Sequence, residues 1–173
     1  MMQHNLPFDT ALKYAKEGKV VINSSDSDKD INVALIAHGY NIYDKRVCMD
    51  IFKKLDSLGV KVFNAYSLAE EQLKDGLNSI STDLYWANQL EMSGAAGYFL
   101  RTPDIDGVIT ITAFGCGPDS LMIEDIKRKS KNFNKPLLNL TIDEQTGEAG
   151  FVTRLAAFCA CFRRATRKLV PTW

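Results

Sequence analysis

The sequence predicts an α/β fold, a three-layer flavodoxin-like or Rossmann-like domain in which a four-stranded parallel sheet carries helices on both faces. Two observations lead to this prediction: apolar runs rich in β-branched residues recur along the chain, and a segment of helical periodicity follows each of them. Strand and helix alternate four times, which favours a parallel sheet because helical crossovers join parallel strands. Right-handed crossovers leave few topologies, and a flavodoxin-like strand order is the first choice among them.

Each predicted element has its own signal. Residues 31–37 form a nearly continuous apolar run, typical of a strand covered on both faces. The other predicted strands are 60–63, 107–114 and 136–142. Asp44 is expected to cap a helix that Gly59 ends. The apolar face of that helix would carry Val47, Ile51, Leu55 and Leu58. Further helices are predicted at about 82–100, 118–131 and 150–169, and an acidic, leucine-spaced stretch covers 69–77.

Length and composition indicate one folded unit. The chain has 173 residues, of which 46% are hydrophobic, enough for a single core. Residues 1–30 are expected to form an N-terminal helix and a polar linker, and residues 31–170 a single α/β domain.

The charge balance limits the classes of partner. Lys and Arg number 21 and Asp and Glu also 21, so the strongly basic surface of a typical nucleic-acid-binding protein is absent from the composition. The sequence has no apolar run of membrane-spanning length and no basic segment followed by an apolar one at its start. We therefore expect a cytoplasmic protein with neither nucleic acid nor membrane as its partner.

The segments that follow the strands are the candidate binding region, because ligands of parallel sheets bind outside the carboxyl ends of the strands. The candidate residues are His38, Tyr40, Asn41, Gly115, Gly117, Asp119, Ser120, Asp143 and Glu144. His38 has one glycine beside it rather than a phosphate-binding glycine series, so a structural histidine is favoured over a base. Asp143 and Glu144 point to opposite sides of an extended backbone and are expected to cap a helix or orient Arg154.

Cys116 gives the strongest single signal. It lies between two glycines and directly before a predicted helix, in the motif FGCGPDS at 114–120. A helix N-terminus favours thiolate, the form that a nucleophile or metal ligand needs. The alternative is a buried, inert cysteine in a tight turn. Cys159 and Cys161 lie two apart on a predicted helix, about 200° around its axis, so they cannot easily share a metal ion. These two cysteines and Cys48 are predicted to be structural.

Several motifs together resemble the 2-hydroxyacyl-CoA dehydratase-like proteins, specifically the domain associated with acyl-CoA dehydratase activases. They lie at 33–44, 84–86, 106–109, 114–121 and 135–155, with FGCGPDS, DEQTGEAG and TRL the most specific. The resemblance covers about residues 31–163 in the order of the family.

The resemblance implies an iron–sulfur protein of anaerobic metabolism whose relatives bind a [4Fe–4S] or double-cubane cluster and receive electrons from an ATP-hydrolysing activase. It implies that Cys116 is a cluster ligand, while the partner cysteines of the family and its activase portion have no counterpart here. Gly39 replaces a usual proline, and Ala156 a common glutamate. No catalytic residue is assigned.

The leading hypothesis is therefore a component of a 2-hydroxyacyl-CoA dehydratase-like lyase that is inactive alone. It would contribute part of an iron–sulfur or acyl-CoA site to another subunit or domain, with an incomplete cluster in this chain. The alternatives are a non-catalytic scaffold of the same fold without a cluster, and a module that binds CoA or nucleotide phosphate near residues 115–120.

Overall fold

A four-stranded parallel sheet forms the centre of the domain and confirms the predicted fold class. The computed structural model describes residues 31–80 and 86–168. The strands are β1 (Ile31–Ala37), β2 (Val60–Asn64), β3 (Gly107–Ala113) and β4 (Leu137–Ile142). Their order in the sheet is β2-β1-β3-β4, as expected of a flavodoxin-like topology.

The helices complete the alternation. They are α1 (Gly39–Tyr43), α2 (Ile51–Ser57), α3 (Glu70–Leu77), α4 (Ala87–Arg101), α5 (Gly117–Asn132) and α6 (Glu148–Lys168). A 3-10 turn at Ala65–Ser67 follows β2. None of the helices in the described part of the chain is long and apolar enough to cross a membrane.

Two apolar clusters, one on each face of the sheet, make the three layers. Alternate side chains of β1 point to opposite faces, so that Leu35 belongs to one cluster and Ile36 to the other. On the first face α2 and α6 supply Ile51, Leu55, Phe151 and Leu155. On the second face α4 and α5 supply Met92, Phe99, Met122 and Ile126. Burial on both faces explains why β1 reads as a continuous apolar run.

The prediction of one helix from Asp44 to Gly59 is wrong in its first half. The Asp44 carboxylate accepts the backbone N–H of Arg46 at 2.8 Å and closes a turn. Met49 and Asp50 then have φ values of 50° and 52°, in the left-handed region that ends any regular helix. Helix α2 starts only after them, and Val47 is left 39% exposed.

Other boundaries follow the sequence more closely. Gly59 ends α2 at a φ of 66°, as predicted for a glycine after a helix. The acidic stretch at 69–77 forms α3, and α1 occupies a segment predicted as a loop. The predicted helix and linker at 1–30, and the start of the helix predicted at 82, lie outside the described residues.

Helices α3 and α4 meet backbone to backbone. A Cβ atom built on Gly76 would lie 1.8 Å from the carbonyl oxygen of Gly94, and one on Gly97 would lie 2.1 Å from that of Gly76. Only hydrogen fits in these positions, because real Cβ atoms never approach a backbone oxygen so closely. The close contact fixes α4, whose first turn borders the candidate site.

We predict that Gly97→Ala destabilises the domain by about 2 kcal/mol or more, since an added methyl group forces two helix backbones apart. Gly150→Ala is the matched control, because Gly150 lies in α6 with no atom near its would-be Cβ. There alanine is expected to stabilise by about 0.5 kcal/mol through its higher helix propensity. Urea unfolding of both variants measures the difference, and an equally stable Gly97→Ala variant would contradict the close contact.

Candidate functional site

The candidate site lies at the switch point of the sheet, between the carboxyl ends of the neighbouring strands β1 and β3. Helix α2, which follows β1, packs on one face, whereas α5, which follows β3, packs on the other. The two connections therefore leave the sheet in opposite directions and open a crevice between them. The segments at 38–44 and 114–120 line this crevice.

A histidine–aspartate pair joins the two sides of the crevice. His38 follows β1, and its Nε2 lies 2.9 Å from Oδ1 of Asp119 in the first turn of α5. Asp119 is 1% exposed, a rare degree of burial for a carboxylate. Its second oxygen, Oδ2, has no hydrogen-bond partner among residues 31–80 and 86–168. His38, which the sequence predicts to be structural, thus forms a hydrogen bond with a buried carboxylate at the site.

Tyr40 covers the pair. Its ring stacks on the His38 imidazole with centroids 5.1 Å apart and planes 11° from parallel, and 58% of the residue is exposed. Burial raises the pKa of the Tyr40 phenol, and the charges of Asp119 and Cys116 raise it further. The phenol, the thiol and the carboxylate therefore lie near one another.

Cys116 caps helix α5, as predicted, but its electrostatic setting differs from the expectation. Burial raises the pKa of the thiol, and the Asp119 carboxylate raises it further, although the backbone N–H of Asp119 favours the thiolate. The pKa shift is thus opposite to the one expected from the helix N-terminus. Burial is its largest cause, and the Asp119 carboxylate adds to it by accepting the thiol hydrogen and by its negative charge.

Two residues of α4 complete the crevice and were missed in the sequence. The Gln89 side chain donates a hydrogen bond from Nε2 to the Pro118 carbonyl and ties α4 to the first turn of α5. Burial raises the pKa of Glu91, and the nearby imidazole of His38 partly offsets this rise. Helix α4, which precedes β3 in the chain, begins at the same edge of the sheet. Its first turn could therefore have been included among the candidate binding segments.

The other residues predicted for the site belong either to the segments at 38–44 and 114–120 or to the loop after β4. Asn41 is buried in α1, and its Nδ2 has no partner within the described ranges. Gly115 adopts a φ of 78°, and both it and Gly117 have open space around them. The Ser120 hydroxyl donates to the carbonyl of Cys116 at 2.8 Å and so supports the turn.

Asp143 and Glu144 follow β4 at the border of the sheet, and both are exposed. Asp143 closes its own turn, where its Oδ1 accepts the Thr146 hydroxyl at 2.6 Å. Arg154 donates to the Asn139 carbonyl at 2.6 Å rather than to either acid, so the predicted orienting role is wrong.

The four cysteines do not assemble into a cluster site. Cys48 and Cys159 are buried in the apolar core, as predicted, and Cys161 is exposed on α6. Throughout the part of the chain that the structure describes, no three histidine, cysteine or acidic groups are arranged to hold a metal ion. The donor set here therefore does not fit a complete [4Fe–4S] cluster, which takes four thiolates.

Comparison of the chain with models of protein families and with curated proteins gives no match to either. The similarity to 2-hydroxyacyl-CoA dehydratase-like proteins therefore rests on the sequence motifs alone.

We predict that Cys116 reacts slowly with iodoacetamide at neutral pH, with a rate that keeps rising with pH and levels off only above the ordinary pKa of a cysteine. Asp119→Asn should move the midpoint of this pH profile downward, because it removes the carboxylate that disfavours thiolate while burial is retained. Peptide mass spectrometry after timed alkylation measures the profile. An unchanged midpoint in Asp119→Asn would show that this carboxylate does not control the thiol.

Proposed function

We propose that this chain is a component of a 2-hydroxyacyl-CoA dehydratase-like system and that its switch-point crevice is one half of a site that another subunit or domain completes. In this proposal Cys116 is the single ligand that the chain offers to an iron–sulfur cluster, and the partner receives electrons from an ATP-dependent activase. The chain alone is inactive.

The observation that carries the proposal is the position of Cys116. It lies in the turn between β3 and α5, at the carboxyl edge of the sheet, and its thiol is partly exposed beside Asp119. This edge is where parallel sheets bind ligands. The buried Cys48 and Cys159 are closed off within the core, so the remaining cluster ligands would come from the partner.

A second candidate, a scaffold of the same fold without a cluster, is favoured by a different observation. The pKa of Cys116 is raised by burial and by Asp119, so the neutral thiol is the preferred form in the isolated chain. A neutral thiol is a poor metal ligand. The two candidates differ in whether iron binds through Cys116.

Anaerobic iron–sulfur reconstitution separates them. We expect a complex of this chain with a dehydratase or activase subunit to take up iron and sulfide in amounts that require Cys116, and the complex with Cys116→Ala to lose part of this uptake, whereas the isolated chain should hold no complete cluster. Cys161→Ala is the matched control, because it removes an exposed thiol far along α6 and should leave uptake unchanged.

Two results would contradict the proposal. A full, stable cluster that Cys116→Ala retains would mean that Cys116 is not a ligand. A stable complex whose iron content is the same with wild-type chain and with Cys116→Ala would favour the scaffold.

The phosphate-binding alternative has an electrostatic difficulty. The N-terminus of α5 carries the Asp119 carboxylate in its own first turn, and this negative charge repels a phosphate group there. We therefore predict that neither CoA nor ATP raises the melting temperature of the isolated chain in a thermal-shift titration. A rise that depends on CoA concentration would instead support a phosphate-binding module.

A further inference from the structure

Large apolar side chains are exposed around the carboxyl edge of the sheet. Phe114 follows β3 directly and is 77% exposed, and Leu121 in the second turn of α5 is 73% exposed. Tyr40, Tyr66 and Leu90 are exposed as well, and we call these five residues the edge patch. Scattered apolar residues are ordinary on a protein surface, whereas a continuous group of them marks an interaction site.

Contacts on one side of the crevice connect the two tyrosines of the edge patch to α5. The Tyr66 hydroxyl lies 3.2 Å from the place that a Cβ atom on Gly39 would take. The next residue, Tyr40, stacks on His38, which is hydrogen-bonded to Asp119 in the first turn of α5. The tyrosines are therefore continuous with the start of that helix.

Contacts on the other side extend the edge patch to α4 and β4. The bond from Gln89 to the Pro118 carbonyl places the first turn of α4, which includes Leu90, beside the start of α5. The backbone N–H of Phe114 donates to the carbonyl of Ile142 at 2.9 Å, so Phe114 borders the loop after β4. The edge patch therefore runs from the end of β2 to the border of β4.

The same edge of the sheet is acidic. Its described segments lie at 38–50, 65–73, 86–91, 114–121 and 143–150. They contain nine Asp and Glu against two Lys and Arg. Glu70 and Glu148 form ion pairs with Lys74 and Lys54, and an excess of acidic groups remains when these two bases are counted.

The opposite edge of the sheet has the other sign of charge. The segments at 101–106 and 129–136, which lead into β3 and β4, contain four Lys and Arg against two Asp. The net charge of zero therefore results from an uneven distribution, with acidic groups collected around the edge patch. Such a distribution attracts a basic surface to this edge and repels an acidic one.

We propose that the edge patch is the docking face for the partner that completes the site, and that this partner covers it with an apolar surface bordered by Lys and Arg side chains. A second copy of the chain fits less well, because a two-fold dimer through the edge patch would place two acidic borders opposite each other. Phe114 lies two residues before Cys116, so a protein on the edge patch also covers the partly exposed thiol. The inference rests on the proposed function only in requiring a partner at this site.

Photocrosslinking in cells of the organism that encodes the chain identifies the occupant of the edge patch. p-Benzoylphenylalanine replaces Phe114 in one variant of the full chain and Phe133 in the control, since Phe133 is exposed at the opposite end of α5. We expect the probe at 114 to link the chain to another protein, at a peptide surrounded by Lys, Arg and apolar residues. Linkage to a second copy, to residues 1–30 of the same chain or to an acidic surface would overturn the proposal. Absence of linkage, or an equal yield from position 133, would overturn it too.

Binding of the purified crosslinked protein tests the chemistry of the docking face. Phe114→Ser and Leu121→Ser should each weaken binding by about tenfold or more, because each removes a buried anchor, and Phe133→Ser should leave binding unchanged. Glu144→Gln should slow association at low salt by about twofold, whereas Asp104→Asn at the opposite edge should not. Unchanged binding in both edge-patch variants would contradict the assignment.

The docking face and the cluster proposal can fail separately. If the complex forms through the edge patch but holds the same iron with Cys116→Ala, the cluster proposal fails and the docking face stands. If the iron depends on Cys116 but Phe114→Ser and Leu121→Ser bind normally, the cluster proposal stands and the docking face is wrong.

Discussion

The hydrogen bond between His38 and Asp119 joins the two segments that leave the carboxyl edge of the sheet at its switch point. It spans the switch point, joining the end of β1 to the first turn of α5 at 2.9 Å. Each partner belongs to a segment that leaves the sheet on a different face, so no backbone ladder connects them there. Side-chain contacts must define the crevice, and this buried pair is a central one, with the Gln89 bond to Pro118 supporting α5 from α4.

The same pair sets the chemistry of the crevice. Asp119 opposes ionisation of the Cys116 thiol and of the Tyr40 phenol, so the N-terminus of α5 is not the anion-attracting position that an isolated helix would offer. The raised pKa of Cys116 keeps its partly exposed thiol protonated, a state that a partner bringing positive charge or metal would alter.

Periodicity predicted the sheet and the strand ends, because burial on both faces leaves long apolar runs in the sequence. The handedness of the crossovers predicted the strand order. Periodicity did not predict the turn at 44–50. There Met49 and Asp50 adopt left-handed backbone conformations and interrupt a segment whose apolar residues have helical spacing. The pairing of His38 with Asp119 depends on residues 81 positions apart and left no local signal. Gln89 and Glu91 were missed for a related reason, since only tertiary packing brings the start of α4 to this edge.

The most direct measurement of the central claim is a double-mutant cycle on the free energy of unfolding, with His38→Ala, Asp119→Ala and the double variant. If the pair joins the two sides of the crevice, the coupling energy should be about 1.5–3 kcal/mol, the range of hydrogen bonds to a charged group. Effects of the two substitutions that add to within about 0.5 kcal/mol would show that the residues do not interact, and would contradict the account.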